Sequence, residues 1–480
     1  MASFLDSDYY KRLLSSTAFQ TTPLKLIFEV SPESVKSGFS GDYFPKYCNP
    51  LGRKFDVIPF GFSEEAFRIK LNEDVLYQIP LEIEELTSAK NILVYEFRKI
   101  YEKKLLVDPR TNKVVIVEPS PLLIPIKYLL VKVLLEDMLV PSITFFPGSV
   151  MSLLTLGKME GLVIHFGSIE TTITPVFDFR PLESLSISSS LGKEKLRVHL
   201  RDQLIKHGHY INLSSESNTD QTKQKFTPLI LTNELCQHII ENLVFASPLS
   251  PPKNLVSGEL SSNGTVCGIR SDSLAVWCQQ SSIATDLYFS WSHQNKTKIK
   301  CFLPGFVREH VLDILFCGDS ENDISGVVDL TFQVIKNLPV DLKKRLSSKI
   351  LVIGDLAEIP NFQNRFMSDL MTRLINDPKC EPLSRTASLL DDNSHTFNQD
   401  FNTPDINNKS DSDAFEDQGQ AHDSKNTNKE TEKMYSNSGS TFKSSDRCWV
   451  GSSIAVSSKI EGFELNLENY QDFFKGLLSA

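Results

Sequence analysis

The feature that most constrains this chain is a set of short apolar runs separated by helical patterns. Leu24 to Val30, Val114 to Val117, Leu162-Val163-Ile164 and Ile350 to Ile353 are too short for helices and rich in branched side chains. Such runs read as strands covered on both faces, as in a parallel sheet. The first is followed by a return strand at Val35 to Phe39, the third by one at Thr171 to Phe177. Between them, helical spacing marks Ile92–Lys104, Ile124–Val140, Lys193–Lys206, Asn233–Phe245, Val307–Phe316 and Ile324–Asn337. Ser149–Leu156 reads as a further short helix, closed by Gly157. Strands alternating with helices in two halves indicate an α/β fold built from two similar domains.

Composition narrows the classes further. At 480 residues the chain exceeds the roughly 250–300 residues at which single cores stop growing. The formal net charge is −10; residues 381–447 hold 13 Asp+Glu and 7 Lys+Arg, so they carry −6 of it. The remainder is close to neutral, and no basic stripe marks a nucleic-acid surface. The eight cysteines never form a C-x-x-C pair, which favours reduced thiols over disulfides or a zinc site. Asp6, Asp8, Lys11 and Arg12 come early without an apolar run, so no signal peptide is expected. Ile124 to Val140 is interrupted by Lys127, Lys132, Glu136 and Asp137, so no membrane insertion is expected. A soluble, intracellular protein follows, and the N-x-S/T sequons at Asn212, Asn263, Asn295 and Asn408 read as chance.

The domain plan expected from these patterns has five parts. Residues 1–22 form a polar N-terminal extension, 23–157 a first domain and 158–380 a second. Within the second, 247–300 is rich in Ser, Pro and Asn and reads as an irregular insertion. Residues 381–447 are dominated by Asn, Asp, Ser, Thr and Lys, too polar to offset the entropy of ordering. A disordered acidic insertion is expected there, with Arg385-Thr386-Ala387-Ser388 as a weak phosphorylation string. Residues 448–480 return to the first domain. Lys206-His207-Gly208-His209 lacks a third ligand at metal spacing and reads as a turn after a helix. No Gly-x-x-x-x-Gly-Lys-Ser/Thr or Gly-x-Ser-x-Gly string is present.

Taken in order, several loops resemble the actin family. Ser37-Gly38-Phe39-Ser40-Gly41-Asp42 with Pro45-Lys46 looks like the end of its first phosphate hairpin. Leu106-Val107-Asp108-Pro109 through Val114-Val115-Ile116-Val117-Glu118-Pro119 looks like its central strand. Leu139-Val140-Pro141-Ser142-Ile143 and Val150-Met151-Ser152-Leu153-Leu154-Thr155-Leu156-Gly157 continue the match. Trp449-Val450-Gly451-Ser452-Ser453-Ile454 looks like the family's tryptophan and small-residue turn. Leu105 to Arg110, Leu153 to Gly157, Asp313 to Phe316 and Leu351 to Gly354 are most similar to the pointed-end actin-related proteins of dynactin (the actin-related protein 10/11 type). The resemblance covers residues 24–245, 302–375 and 447–475. It implies an actin-like fold, with two α/β domains (four subdomains) around a nucleotide cleft.

An ATPase of that kind needs two hairpin turns that offer backbone N–H groups to phosphates, carboxylates for the metal's water shell and a polar group that orients water. Aligned on Gly38-Phe39, the first turn is Glu29-Val30-Ser31-Pro32-Glu33-Ser34, where the family has acid-Asn-Gly-Ser-Gly. Pro32 has no N–H to donate, and Glu33 brings negative charge. The second turn is His165-Phe166-Gly167-Ser168-Ile169; the family's aspartates fall at His165 and Ser168, its second glycine at Ile169. His165 reads as a hydrogen-bonded core histidine. The water-orienting glutamine falls at Gly148, and the adenosine-side loop is Gly354-Asp355-Leu356 in place of Gly-Gly-Thr. Glu29, Gly38, Gly167, Gly192 and Gly354 are the expected remnants of a degenerate nucleotide cleft; no catalytic or metal-binding residue is expected, and no cofactor is required, with a residual ATP or ADP left open as the alternative.

The resemblance implies a non-catalytic dynactin subunit that caps the pointed end of a short actin-related filament and supports dynein-driven transport along microtubules. Its partners would be that filament and other pointed-end subunits, in the cytoplasm and cytoskeleton, without self-polymerisation. Two rivals stand beside it. One is a nuclear actin-related subunit of a chromatin-remodelling complex; the other is an active actin-type ATPase.

Overall fold

Alternating side chains along the buried strands divide the interior into three cores, and that division organises the molecule. The computed structural model describes residues 25–50, 83–212, 223–248, 278–292, 298–319, 322–390, 442–460 and 462–479. All of them fall in one compact unit. The first sheet is built on the hairpin Leu26–Val30 and Ser34–Phe39, extended by Tyr47–Pro50. On the hairpin's other side Val114–Glu118 runs parallel to Leu26–Val30, then Ile143–Pro147 parallel to Val114–Glu118, with Glu464–Leu465 at the edge. The second sheet repeats the plan. The hairpin Gly161–Phe166 and Thr171–Phe177 carries Ile350–Ile353, parallel to its first strand.

Leu26, Phe28, Val114 and Ile116 point into one core, beneath Leu93, Phe97, Leu130 and Phe474 of the helical layer. Leu162, Ile164, Ile350 and Val352 point into another, covered by Leu196, Leu200, Val334 and Phe366. The alternate residues Ile27, Val115, Val163 and Leu351 meet in a third core between the sheets. There lie two helices, Gly148–Leu154 and Arg447–Ser457, with Trp449 fully buried. They approach closely because residue 451 has no side chain: a Cβ there would sit 1.8 Å from the Met151 carbonyl oxygen. The Trp449 string is therefore the heart of a helix, not the turn its small residues suggest.

Three further expectations change. The segment expected to be irregular between 247 and 300 contains half of an antiparallel hairpin, Leu287–Ser292 with Lys298–Leu303. This joins His209–Asn212 and Gln224–Lys225 in a four-stranded sheet with one half-buried face. The polar insertion is narrower than 381–447. Glu381–Ser384 is helical, Leu390 N–H donates to the Ile350 carbonyl, and Arg447 is buried at the start of its helix. The Arg385–Ser388 string thus lies in the fold, with Ala387 buried. Finally, Val307–Phe316 is two helices, Gly305–His310 and Asp313–Cys317. The expectations for residues 1–22 and for the middle of 381–447 lie outside the described residues. Among the described residues no helix is long and apolar enough to cross a membrane, and Cys48, Cys236, Cys278, Cys301, Cys317, Cys380 and Cys448 are all free thiols.

Candidate functional site

In sheets of this kind the carboxyl ends of parallel strands leave a crevice that ligands use. Here four strand ends converge on one cavity: Glu29 and Val30, Pro119 and Ser120, His165 to Gly167, and Gly354 with Asp355. The first-sheet lobe supplies the turn Ser31–Ser34, and the second-sheet lobe supplies Lys193 from the start of helix Lys193–His207. The cavity measures about 70 Å³, enough for a few waters.

Its walls are held by ion pairs. Lys36 Nζ lies 3.2 Å from Glu29 Oε1 and 2.9 Å from Asp446 Oδ1, and it also donates to the Ser445 carbonyl. Lys193 Nζ lies 3.5 Å from Glu33 Oε2 and 3.2 Å from both Glu241 Oε1 and Asp355 Oδ2. Arg197 Nη2 bonds Glu33 Oε1 and lies 3.0 Å from Glu194 Oε2. Burial works against both ammonium groups, yet the carboxylates around them hold Lys36 and Lys193 above the usual lysine value. Burial pushes the Glu29 carboxyl up against the pull of Lys36. Asp355, despite burial that would raise it, is held down by Lys193 and Lys36.

The expected site residues divide. Glu29, Gly167 and Gly354 line the cavity. Gly38 does not: it sits in the hairpin's return strand, where a Cβ would strike the Trp449 ring at 2.7 Å. Gly192 caps the helix and packs on Ser168 and Ile169. Gly354 has φ +106°, so it needs glycine whatever it binds. Gly148 stands where no side chain fits, since a Cβ would lie 2.7 Å from the Glu118 carbonyl oxygen and 3.0 Å from Cys448 Sγ. Glu29 is a buried, ion-paired strand end. His165 is hydrogen-bonded through Nδ1 to Ser120 Oγ at 3.1 Å, as expected, though it borders the cavity. Burial lowers its pKa to about 4, so the ring is neutral near pH 7.

The backbone donors are also engaged. Gly167 N–H bonds the Glu170 carbonyl, Lys193 N–H the Gly167 carbonyl and Glu194 N–H the Ser168 carbonyl. Gly354 N–H reaches the Ser444 carbonyl of the returning segment. Ser34 N–H bonds Ser31 Oγ within the first turn. A pocket for a drug-sized ligand usually spans about 300–1,000 Å³, several times this one. Charge opposes a polyphosphate as well. Unit charges 4 Å apart interact by about 4 kcal/mol at an effective dielectric of about 20, so repulsion from Glu33 and Asp355 offsets the pull that Lys193 and Arg197 would exert on a phosphate.

Lys36, Lys193, Arg197, Glu241 and Asp446 are the members that sequence reasoning missed. A signal was present: acids enter the turns at Glu33 and Asp355, while Lys193 and Arg197 share one helix face at i, i+4. Away from the cleft, one buried trio of the described residues brings ligand atoms of Cys278, His310 and Asp313 within 4.8 Å of one another. Asp313 Oδ2 is 2.9 Å from His310 Nδ1 and its Oδ1 is 3.3 Å from Arg365 Nη2. His310 and the buried Arg365 guanidinium, which also bonds Asp369 at 2.8 Å, already engage the carboxylate, so the trio suits a polar brace better than a cation.

The family model described as Actin matches residues 25–244. Over those residues, a little under half of its length, the chain is similar to the actin family. The repeated hairpin-and-parallel-strand plan around the cleft is the actin-like α/β fold. Actin-related protein 10 of Dictyostelium discoideum is 25% identical over 235 residues, which cover 46% of this chain and 47% of that protein. Centractin of Schizosaccharomyces pombe is 25% identical over 193 residues, 38% of this chain and 50% of that protein. Actin-like protein ARP10 of Saccharomyces cerevisiae is 26% identical over 154 residues, 31% of this chain and 52% of that protein. In each case the matched part spans about half the length of the curated relative.

Proposed function

We propose that this actin-related chain is a non-catalytic subunit of dynactin, capping the pointed end of its short actin-related filament in support of dynein-driven microtubule transport. The observation that carries the reading is a contrast within the cleft's own surroundings. The phosphate turns are occupied by Glu33, His165 and internally bonded amides, while the interlobe helices keep their close packing. At the edge of those helices Leu154, Leu156, Ile454 and Val456 remain only partly buried, an apolar rim suited to docking a filament end. The names of the relatives, Actin-related protein 10 and Centractin, support an actin-related assembly rather than a free enzyme. The proposed setting is the cytoplasm and cytoskeleton, with the dynactin filament and other pointed-end subunits as partners and no self-polymerisation.

The test uses tagged full-length chain purified from cells. Dynactin filament subunits should co-purify, and substituting Leu154→Asp with Ile454→Asp should release them while thermal unfolding stays cooperative. With Mg²⁺-ATP, phosphate release should match a buffer blank. Recovery of chromatin-remodelling subunits, or steady turnover abolished by Glu29→Ala, would overturn the proposal.

A further inference from the structure

We propose that Glu33 is a built-in anion latch, whose carboxylate holds the two lobes of the cleft together so that closure belongs to the chain itself rather than to a bound ligand. Glu33 stands at the tip of the first-sheet hairpin, and its two carboxylate oxygens reach Arg197 and Lys193 on the second-sheet lobe. Both cations are almost wholly buried, with side chains 2% and 4% exposed, and Glu33 is 20% exposed. At that burial the attraction is screened far less than between surface groups. The carboxylate also faces the first turn of the 15-residue helix Lys193–His207, where the helix dipole favours negative charge.

The turn is prepared for the role. Ser31 Oγ accepts from Ser34 N–H at 3.2 Å and donates to the Ser34 carbonyl at 2.8 Å. Ser31 N–H donates to the same carbonyl at 3.0 Å. Pro32 restricts the backbone beside Glu33. Little ordering entropy is left to lose when the carboxylate is held. A second contact crosses the cleft beside it, from Ser120 Oγ to His165 Nδ1. It joins neutral groups, and Ser120 also bonds the Glu170 carboxyl of the second-sheet hairpin; Glu33 is the acid that meets cations of the other lobe. The inference stands whichever partner the protein has.

Hydrogen–deuterium exchange on the full chain tests it. Glu33→Gln keeps size and removes charge; it should raise exchange about tenfold, the scale of one lost bond to a charged group, in the 31–34 turn and in residues 193–197 together. Residues 447–457 should exchange as in the wild type. Glu33→Asp, which withdraws the charge by one methylene, should behave the same way and serves if the Gln variant fails to fold. Arg197→Gln should reproduce the pattern, and its combination with Glu33→Gln should add little more. Exchange that stays at the wild-type level, rises only within 31–34, or adds fully in the double variant would overturn the latch.

Discussion

Two seams join the lobes of this molecule, and they are made of opposite materials. The seam between helices Gly148–Leu154 and Arg447–Ser457 is dry: Trp449, Val150, Met151 and Leu153 fill it, and Gly451 sets the spacing. The seam at the cleft is ionic: Lys36, Lys193 and Arg197 are shared among Glu29, Glu33, Asp355 and Asp446. The dry seam depends on volume, so each side chain contributes on its own account. The ionic seam depends on mutual neutralisation, so its members are stable only as a set. The ion pairs of the cleft and the packing that fixes the lobes are thus separate devices in this molecule.

The comparison can be broken by substitution. The largest effect is expected in the dry seam: Trp449→Ala should cost about 3–5 kcal/mol, read from the urea midpoint. A loss under 1 kcal/mol would mean that this seam is not what holds the lobes. In the ionic seam Lys36→Met leaves Glu29 and Asp446 without their cation. The expected cost is about 2–3 kcal/mol, below the range for wholly buried pairs, because Lys36 keeps some exposure. Adding Glu29→Gln should restore part of it, and a double variant worse than the single would contradict the idea of a neutralised set.

The smallest effect is a difference in pH slope. Burial lowers His165 from 6.5 to about 4, with Asp355 opposing and Lys36 assisting. Between those values the unfolded chain binds more protons at this site than the folded one, so stability rises with pH through that window and is complete above it. Compared with His165→Gln, the wild type should lose extra stability as pH falls from 6.5 towards 4. Parallel pH profiles for the two proteins would show that His165 does not titrate inside the fold.

Much of the frame was legible because it is local. Val114–Glu118, Thr171–Phe177, Lys193–His207 and Ile350–Ile353 appear where apolar period and turn residues put them. The unusual cleft residues were equally legible, since Pro32 has no backbone N–H and His165 no carboxylate in any conformation. Other features depended on residues far apart in the chain. The string around Trp449 reads as a turn from its small residues and becomes a helix because Gly451 must meet Met151. The strands Leu287–Ser292 and Lys298–Leu303 gain regular structure by pairing with each other, and the second also pairs with His209–Asn212.

Glu33 carries the same lesson into the site. From its residues alone this turn lacks one backbone donor, at Pro32, and carries a negative charge, at Glu33. Where that charge goes is set by the tertiary structure. It brings the hairpin tip against Lys193 and Arg197, some 160 positions away, and turns a residue that repels a ligand into one that binds the other lobe. Local chemistry can forbid an interaction, but the partner that satisfies a buried charge is chosen by the fold.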